Sequence, residues 1–253
     1  MTTKSTDIVG SFAKGLRVIE AFSAEAPRLA IAEVAERSAL DRAAARRSLL
    51  TLYELGYADY DGKYFTLTPR ILRLGIGALA AMPLAQIVQP WLDQLSERIG
   101  ESVSVSILDG TEIVYIARAQ QRRVISIGLM PGSRLPAHCT SMGRVMLAAL
   151  PETEAQALVE ASDLTPRTAM SRTDPKEIMA EIALVRTQGY APVDQEVEVG
   201  LRSISVPILS SKSRVVAALN TGVAAVQSNV GELAEHYLPE LRRVQAGLAK
   251  SLA

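Results

Sequence analysis

The chain has 253 residues, 27 basic and 27 acidic, and 48% of it is apolar. Zero net charge leaves no global basic signature, and the length allows one large domain or two with sizeable cores. A single cysteine and two histidines exclude an intrachain disulfide and a cysteine-based zinc cluster, so no metal or other cofactor is expected.

The opening residues carry no apolar core of signal-peptide length. No stretch of about 18 uninterrupted apolar residues follows, so the expectation is a soluble cytoplasmic protein with no membrane partner. Phe12, Leu16, Ile19 and Phe22 predict a first helix whose apolar stripe completes a small core. The pattern then predicts a helix over Ile31–Arg37, a turn at Ser38–Asp41 and a helix over Arg42–Leu55 that stops at Gly56. Tyr57–Tyr60 and Lys63–Leu67 read as strands joined at Asp61-Gly62, a pair that favours the primed turn of a two-residue hairpin. That order is a winged helix-turn-helix, whose second helix enters the major groove of DNA.

Asp41 suits the N-cap of the second helix. Ala45, Leu49, Leu52 and Tyr53 fall on one face, while Ala43, Ala44 and Arg47 point the other way, flanked by Arg46. Small side chains let such a helix approach the bases, and arginines reach phosphates or guanine edges. The candidate DNA contacts are therefore Arg42, Ala43, Ala44, Arg46 and Arg47, with Lys63 in the wing. Residues 1–82 hold 11 basic and 9 acidic side chains against 16 and 18 in the remainder, a split of the right sign but small.

Pro69 opens a further helical run, Arg70–Ala81, with Ile71, Leu74 and Leu79 apolar, and Pro83 ends or kinks it. A second domain begins near Leu84 with a helix to Ile99, closed by Gly100. Val103, Val105 and Ile107 alternate with serines, the period of a half-buried strand. A turn at Asp109-Gly110 follows, then strands at Ile113–Ala117 and Val124–Leu129. A loop through Pro131, Gly132 and Pro136 leads to a helix over Ser141–Leu150. Helices follow at Thr153–Ala161 and Pro175–Gln188, strands at Ser203–Leu209 and Val215–Thr221, and a last helix at Val230–Leu252. Helices flanking a mainly antiparallel sheet make an α+β domain.

Four stretches make this order specific: Leu52–Tyr57, Leu67–Gly75, Ala137–Arg144 and Asp194 with Gly200-Leu201-Arg202. Together they resemble the IclR family of bacterial transcription regulators. Arg134–Arg144 and Asp41–Arg47 resemble its branch controlling protocatechuate, 4-hydroxybenzoate and β-ketoadipate-pathway genes. The resemblance implies a winged helix-turn-helix at 8–68, a linker helix at 69–83 and a GAF-like effector-binding domain at 84–253. It also implies operator DNA, a small organic acid that the branch resemblance makes aromatic, and a homodimer or dimer of dimers as partners. Many family members carry Ser and Thr where Ala43 and Ala44 stand here.

The chain from Pro136 to Thr140 leads into a helix whose first N–H groups and dipole favour an anion. The family places its effector there, with the Asp194 region and the last strands. Carried onto this chain, the candidates are Ser141, Met142, Asp194, Asn220 and Gly222. Arg134, His138 and Cys139 join them on chemistry, as a carboxylate clamp, a hydrogen-bonder and a thiol. Asn220 stands out because it interrupts an otherwise apolar strand and needs a partner. Arg144, one turn into the helix, is expected to pair with an acidic neighbour.

Two rivals remain. One is an enzyme with Cys139 as nucleophile; His138 is adjacent and badly placed as its base, leaving His236 or a carboxylate. No phosphate loop or HExxH pattern supports it, and the expectation is no catalytic residue. The other is a DNA-binding protein without a ligand, for which some 170 further residues with a pocket motif have no use.

Overall fold

The computed structural model describes residues 8–23, 26–74, 83–121, 128–227 and 229–252. Its two compact units divide between residues 81 and 82, each with its own core.

The first unit contains α1 (Gly10–Glu20), β1 (Arg28–Leu29), α2 (Ile31–Arg37), α3 (Arg42–Glu54), β2 (Ala58–Tyr60) and β3 (Phe65–Leu67). Asp41 caps α3 by accepting from Ala44 N–H at 2.7 Å, and that bond holds its carboxyl below the usual range. Val34, Ala45, Leu49 and Phe65 build the core, with Gly56 turning the chain out of α3 at φ +75°. The stripe expected on α1 is rotated. Val18 and Ala21 are buried, with Ile19 and Phe22 packed beside them, while Phe12 and Leu16 face solvent. The small core lies against the second half of α1 only. Tyr53, expected inside, is exposed and edges onto the Tyr60 ring.

The wing is also looser than a two-residue hairpin. Tyr60 pairs with Phe65, so the loop is Asp61–Tyr64. The Asp61 carboxylate accepts from Lys63 and Tyr64 N–H and pairs with Arg28, which pulls its pKa down to about 2. That side-chain bonding replaces the turn an Asp-Gly pair makes alone. β1 joins β3, giving the sheet order β1-β3-β2. A 3₁₀ turn at Pro69–Ile71 follows, with helical backbone to Leu74; the rest of the expected linker helix lies outside the described residues.

The second unit runs α4 (Pro83–Ile99), β4 (Ser102–Asp109), β5 (Glu112–Ala119), β6 (Arg134–Pro136), α5 (Ser141–Ala148), α6 (Glu152–Glu160), α7 (Pro175–Gln188), β7 (Ala191–Asp194), β8 (Leu201–Leu209), β9 (Val215–Ala224) and α8 (Val230–Ser251). Pro83 thus begins α4. β6 lies where a loop was expected, and β7 was not anticipated. Of the strand expected at Val124–Leu129, residues 124–127 lie outside the described set and Gly128-Leu129 is irregular.

The sheet is antiparallel in the order β6-β5-β4-β9-β8-β7. One face, with Val103, Val105, Ile204, Val206 and Leu219, packs on α4 and α8. There Gly247 lets the Trp91 ring approach so closely that a Cβ would lie 2.3 Å from it. The other face lies under α5, on which α6 and α7 pack in turn. β4 is therefore covered on both sides, and its serines are buried rather than solvated. This corrects the half-buried strand expected from its alternation.

α5 is fixed tightly. Thr140 caps it, accepting from Gly143 N–H at 3.1 Å, and a Cβ on Gly143 would lie 2.1 Å from the Ala137 carbonyl oxygen. Since that obstacle is backbone, Gly143→Ala should destabilise the domain by about 1–3 kcal/mol or more. A melting scan should show a fall of several degrees; an unchanged melting temperature would contradict the packing.

Candidate effector cavity and DNA-reading face

A pocket partly open to solvent lies between the polar side of the sheet and the start of α5. Its polar wall comprises Ser102, Arg118, Thr140, Ser141, Ser203 and Asn220; Leu129, Leu135, Val193, Val197 and Leu201 supply apolar surface. That combination suits a small organic ligand held by a few polar groups.

Register explains the polar wall. Arg118 pairs with Ser104, Ser104 with Asn220, and Asn220 with Ser205, so one row crosses β5, β4, β9 and β8 on a single face. The next row holds Ser102, Gly222 and Ser203. Ser141 sits over both, its hydroxyl within 2.9 Å of Ser203 Oγ and 2.7 Å of Ser205 Oγ. In the first turn of α5, Gly143 N–H is taken by the Thr140 hydroxyl and Arg144 N–H by its carbonyl. Ser141 and Met142 N–H are not engaged by that cap.

Of the expected effector residues, the structure brings Ser141, Met142, Asn220 and Gly222 together around this cavity. The other four do not line it. Arg134 is exposed on β6, where Nε donates to Glu112 and Nη1 to Asp109 at 2.7 and 2.8 Å. Asp194 accepts from Arg202 Nε at 2.6 Å, which holds its carboxyl below the usual range. His138 is buried outside the wall, and burial lowers its pKa, keeping the ring neutral at pH 7. Cys139 is fully buried, and desolvation pushes its thiol up to about 11. At pH 8 about one thiol in a thousand is ionised. A disulfide reagent should therefore label native protein at least about 100-fold more slowly than urea-unfolded protein; equal rates would show an accessible thiolate.

Sequence reasoning missed Arg118 and Tyr115. The expected strand stopped at Ala117, one residue short of Arg118. A bulge at Val105/Ser106 then puts Tyr115 and Arg118, three residues apart, on the same face. Arg118 Nη1 donates to Ser104 Oγ at 2.8 Å, and its buried Nε has no partner among the described residues. Burial pulls its pKa down, as it pushes the Tyr115 phenol up to about 12.

Arg144 is the largest fully buried side chain. Its Nε donates to the His138 carbonyl at 3.0 Å and its Nη2 to Glu196 at 2.8 Å, the acidic partner expected. Glu196 stands beside Val197 in the cavity wall, and its backbone is tied by the Ser171 hydroxyl.

In the first unit, Arg42, Ala43, Arg46 and Arg47 are exposed on α3, and Lys63 is exposed in the wing. Ala44 is not: it is buried against the core and cannot reach a base. β1 also brings Arg28 to the wing, where Arg28 and Lys63 both stack on Tyr64, at 4.4 and 4.8 Å from the ring centre.

Among the described residues, no cluster of three metal-ligating side chains is present. No described helix is long and apolar enough to cross a membrane.

Residues 11–62 match the IclR helix-turn-helix domain, and 76–247 match the bacterial transcriptional regulator IclR C-terminal domain. The chain is 43% identical to the Pca regulon regulatory protein of Pseudomonas putida, over 99% of this chain and 86% of that one. It is 35% identical to the p-hydroxybenzoate hydroxylase transcriptional activator of Acinetobacter baylyi, over 94% and 90%. A double mutant of the Acinetobacter PobR inducer-binding domain, solved with 3-hydroxybenzoic acid, superposes with a TM-score of 0.62 at 30% identity. It covers 65% of this chain and 97% of its own.

Proposed function

The chain belongs to the IclR family and is a DNA-binding transcription regulator, and we propose that it controls genes of aromatic-acid catabolism in response to a small organic acid held in the α5 cavity. One observation carries this: the pocket joins the first turn of α5 to a polar row of the sheet. The relatives named for the Pca regulon and p-hydroxybenzoate hydroxylase, and the hydroxybenzoate in a similar inducer-binding domain, support an aromatic acid.

Residues 8–68 read DNA, 84–253 sense the effector, and 69–83 couple the two. Arg42, Arg46 and Arg47, with Ala43 between them and Lys63 in the wing, meet double-stranded operator DNA. Ser141, Met142, Asn220 and Gly222 surround the acid. Arg134, already neutralised by two carboxylates, takes no part. The regulator works in the cytoplasm as a homodimer or dimer of dimers, because a two-fold operator needs paired reading heads. The relatives are named as regulators, and Cys139 offers no thiolate for catalysis.

The test couples two measurements. An acid at about 100 times its dissociation constant should stabilise the protein by about 2.7 kcal/mol. It should change affinity for the regulated promoter by about 5–150-fold, with the promoter changing acid affinity by the same factor. Asn220→Leu should remove that response and leave ligand-free DNA binding unchanged. No melting shift with 4-hydroxybenzoate, protocatechuate or their ring-cleavage acids would overturn the effector class. Binding without any effect on DNA affinity would remove the switch.

A further inference from the structure

Arg118 brings an uncompensated positive charge to the cavity wall. Among the described residues it is the sole cation in the cavity wall, and no carboxylate pairs with it. Its guanidinium is held by Ser104 through Nη1, and Nε is buried and unpaired among the described residues. A buried cationic donor left open is costly unless something completes it. Ser104 fixes the plane of the guanidinium, as a receptor for a flat carboxylate requires.

The opposite end of the cavity is different in kind. There the Ser141 hydroxyl is already shared with Ser203 and Ser205, and the Ser141 and Met142 N–H groups carry the partial positive charge of a helix start. Such a terminus amounts to about half an elementary charge, against the full charge of a guanidinium. From Arg118, leaning over β4, to Ser141, above β8, the separation is two strand spacings, roughly 10 Å. One ring or a short carbon chain, with a hydrogen bond of about 2.8 Å at each end, spans it. Val193, Val197 and Leu201 offer apolar surface for that middle.

We infer that Arg118 is the carboxylate anchor of the effector, and that the α5 start takes a second oxygen at the far end, so that the cavity selects two-headed acids. This rests on the effector reading above, and it reverses the end at which the helix terminus alone would place the carboxylate. Asn220, between the two ends of the row, then contacts the body of the ligand rather than its charge.

Calorimetry on the full chain with matched probes decides it. Wild-type protein should bind 4-hydroxybenzoate at least 30-fold more tightly than 4-hydroxybenzamide, and more tightly than benzoate, which lacks the second head. Arg118→Gln should lose most of the acid-over-amide preference, and Arg118→Lys should keep part of it; a purely structural Arg118 would move both ligands equally. Far-UV circular dichroism and melting of the ligand-free variants show whether they fold. Should Arg118→Gln misfold, Arg118→Lys carries the test, with at least a tenfold fall in the preference expected. A folded Arg118→Gln that still prefers the acid by 30-fold overturns the anchor. If the anchor fails but Val193→Trp, which fills the cavity, abolishes binding, the effector site stands with its carboxylate elsewhere. If Val193→Trp binds the acid as wild type does, the cavity reading fails as well.

Discussion

Changing Arg46 and Arg47 together to Ala should lower affinity for the regulated promoter by at least about 30-fold at physiological salt. Both side chains are exposed on α3, whose inner face of Ala44, Ala45, Leu49 and Leu52 packs on the core. The double variant should therefore fold and melt as the wild type does. A bidentate arginine–guanine pair is worth about 1–3 kcal/mol of discrimination, so losing two costs about 2–6 kcal/mol. If one arginine binds phosphate instead, its loss weakens binding to every sequence and flattens the salt slope by about one unit. Fluorescence anisotropy against promoter and scrambled duplexes, across a salt series, separates these outcomes. Unchanged promoter affinity in the folded double variant would remove α3 as the reading helix. If α3 is the reading helix, Ala43, exposed one turn before Arg46 and Arg47, should tolerate Ser but not a large side chain.

How much of this was legible in the sequence depended on how local the cause was. The helix bounds at Ile31–Arg37 and Pro175–Gln188 follow from punctuation, with Asp174 capping α7 and Gly189 closing it at φ +78°. Ala44 was misplaced because one small residue carries no hydropathy contrast; only the packing of α1 and α2 on α3 decides its side. The serines of β4 suggested solvent, yet all three are buried and Ser102 lines the cavity, a fact set by helices far away in sequence. Arg134 and Arg118 show the same limit. Each is an arginine in or beside a strand, and long-range register alone gives Glu112 and Asp109 to one and the cavity to the other. Asn220 was identifiable because a polar side chain amid Val215–Thr221 breaks a local pattern.

The largest stability effect is expected at Glu196. Its carboxylate accepts from Arg144 Nη2 at 2.8 Å and from Arg172 N–H at 3.2 Å, and both Arg144 and Glu196 are almost wholly buried. Glu181, at 4.0 Å from Arg144, is too distant to replace it. Glu196→Ala leaves a guanidinium charge inside the protein with only the His138 carbonyl as a close partner. Breaking a buried pair in this way typically costs about 3–5 kcal/mol, whereas exchanging both partners for apolar residues is often neutral. Urea unfolding should therefore rank Glu196→Ala as strongly destabilised and Arg144→Met/Glu196→Leu as much less so. The pair also joins α5 to the segment carrying Val197, so the single variant should lose effector affinity even where it remains folded. In the double variant, the apolar replacement restores packing but leaves the Ser171 hydroxyl alone to hold that segment's backbone at residue 196. Stability should then recover further than effector affinity does. A single variant as stable as the wild type would show that Arg144 reaches solvent or another carboxylate, and would dissolve the link between the ion pair and the cavity wall.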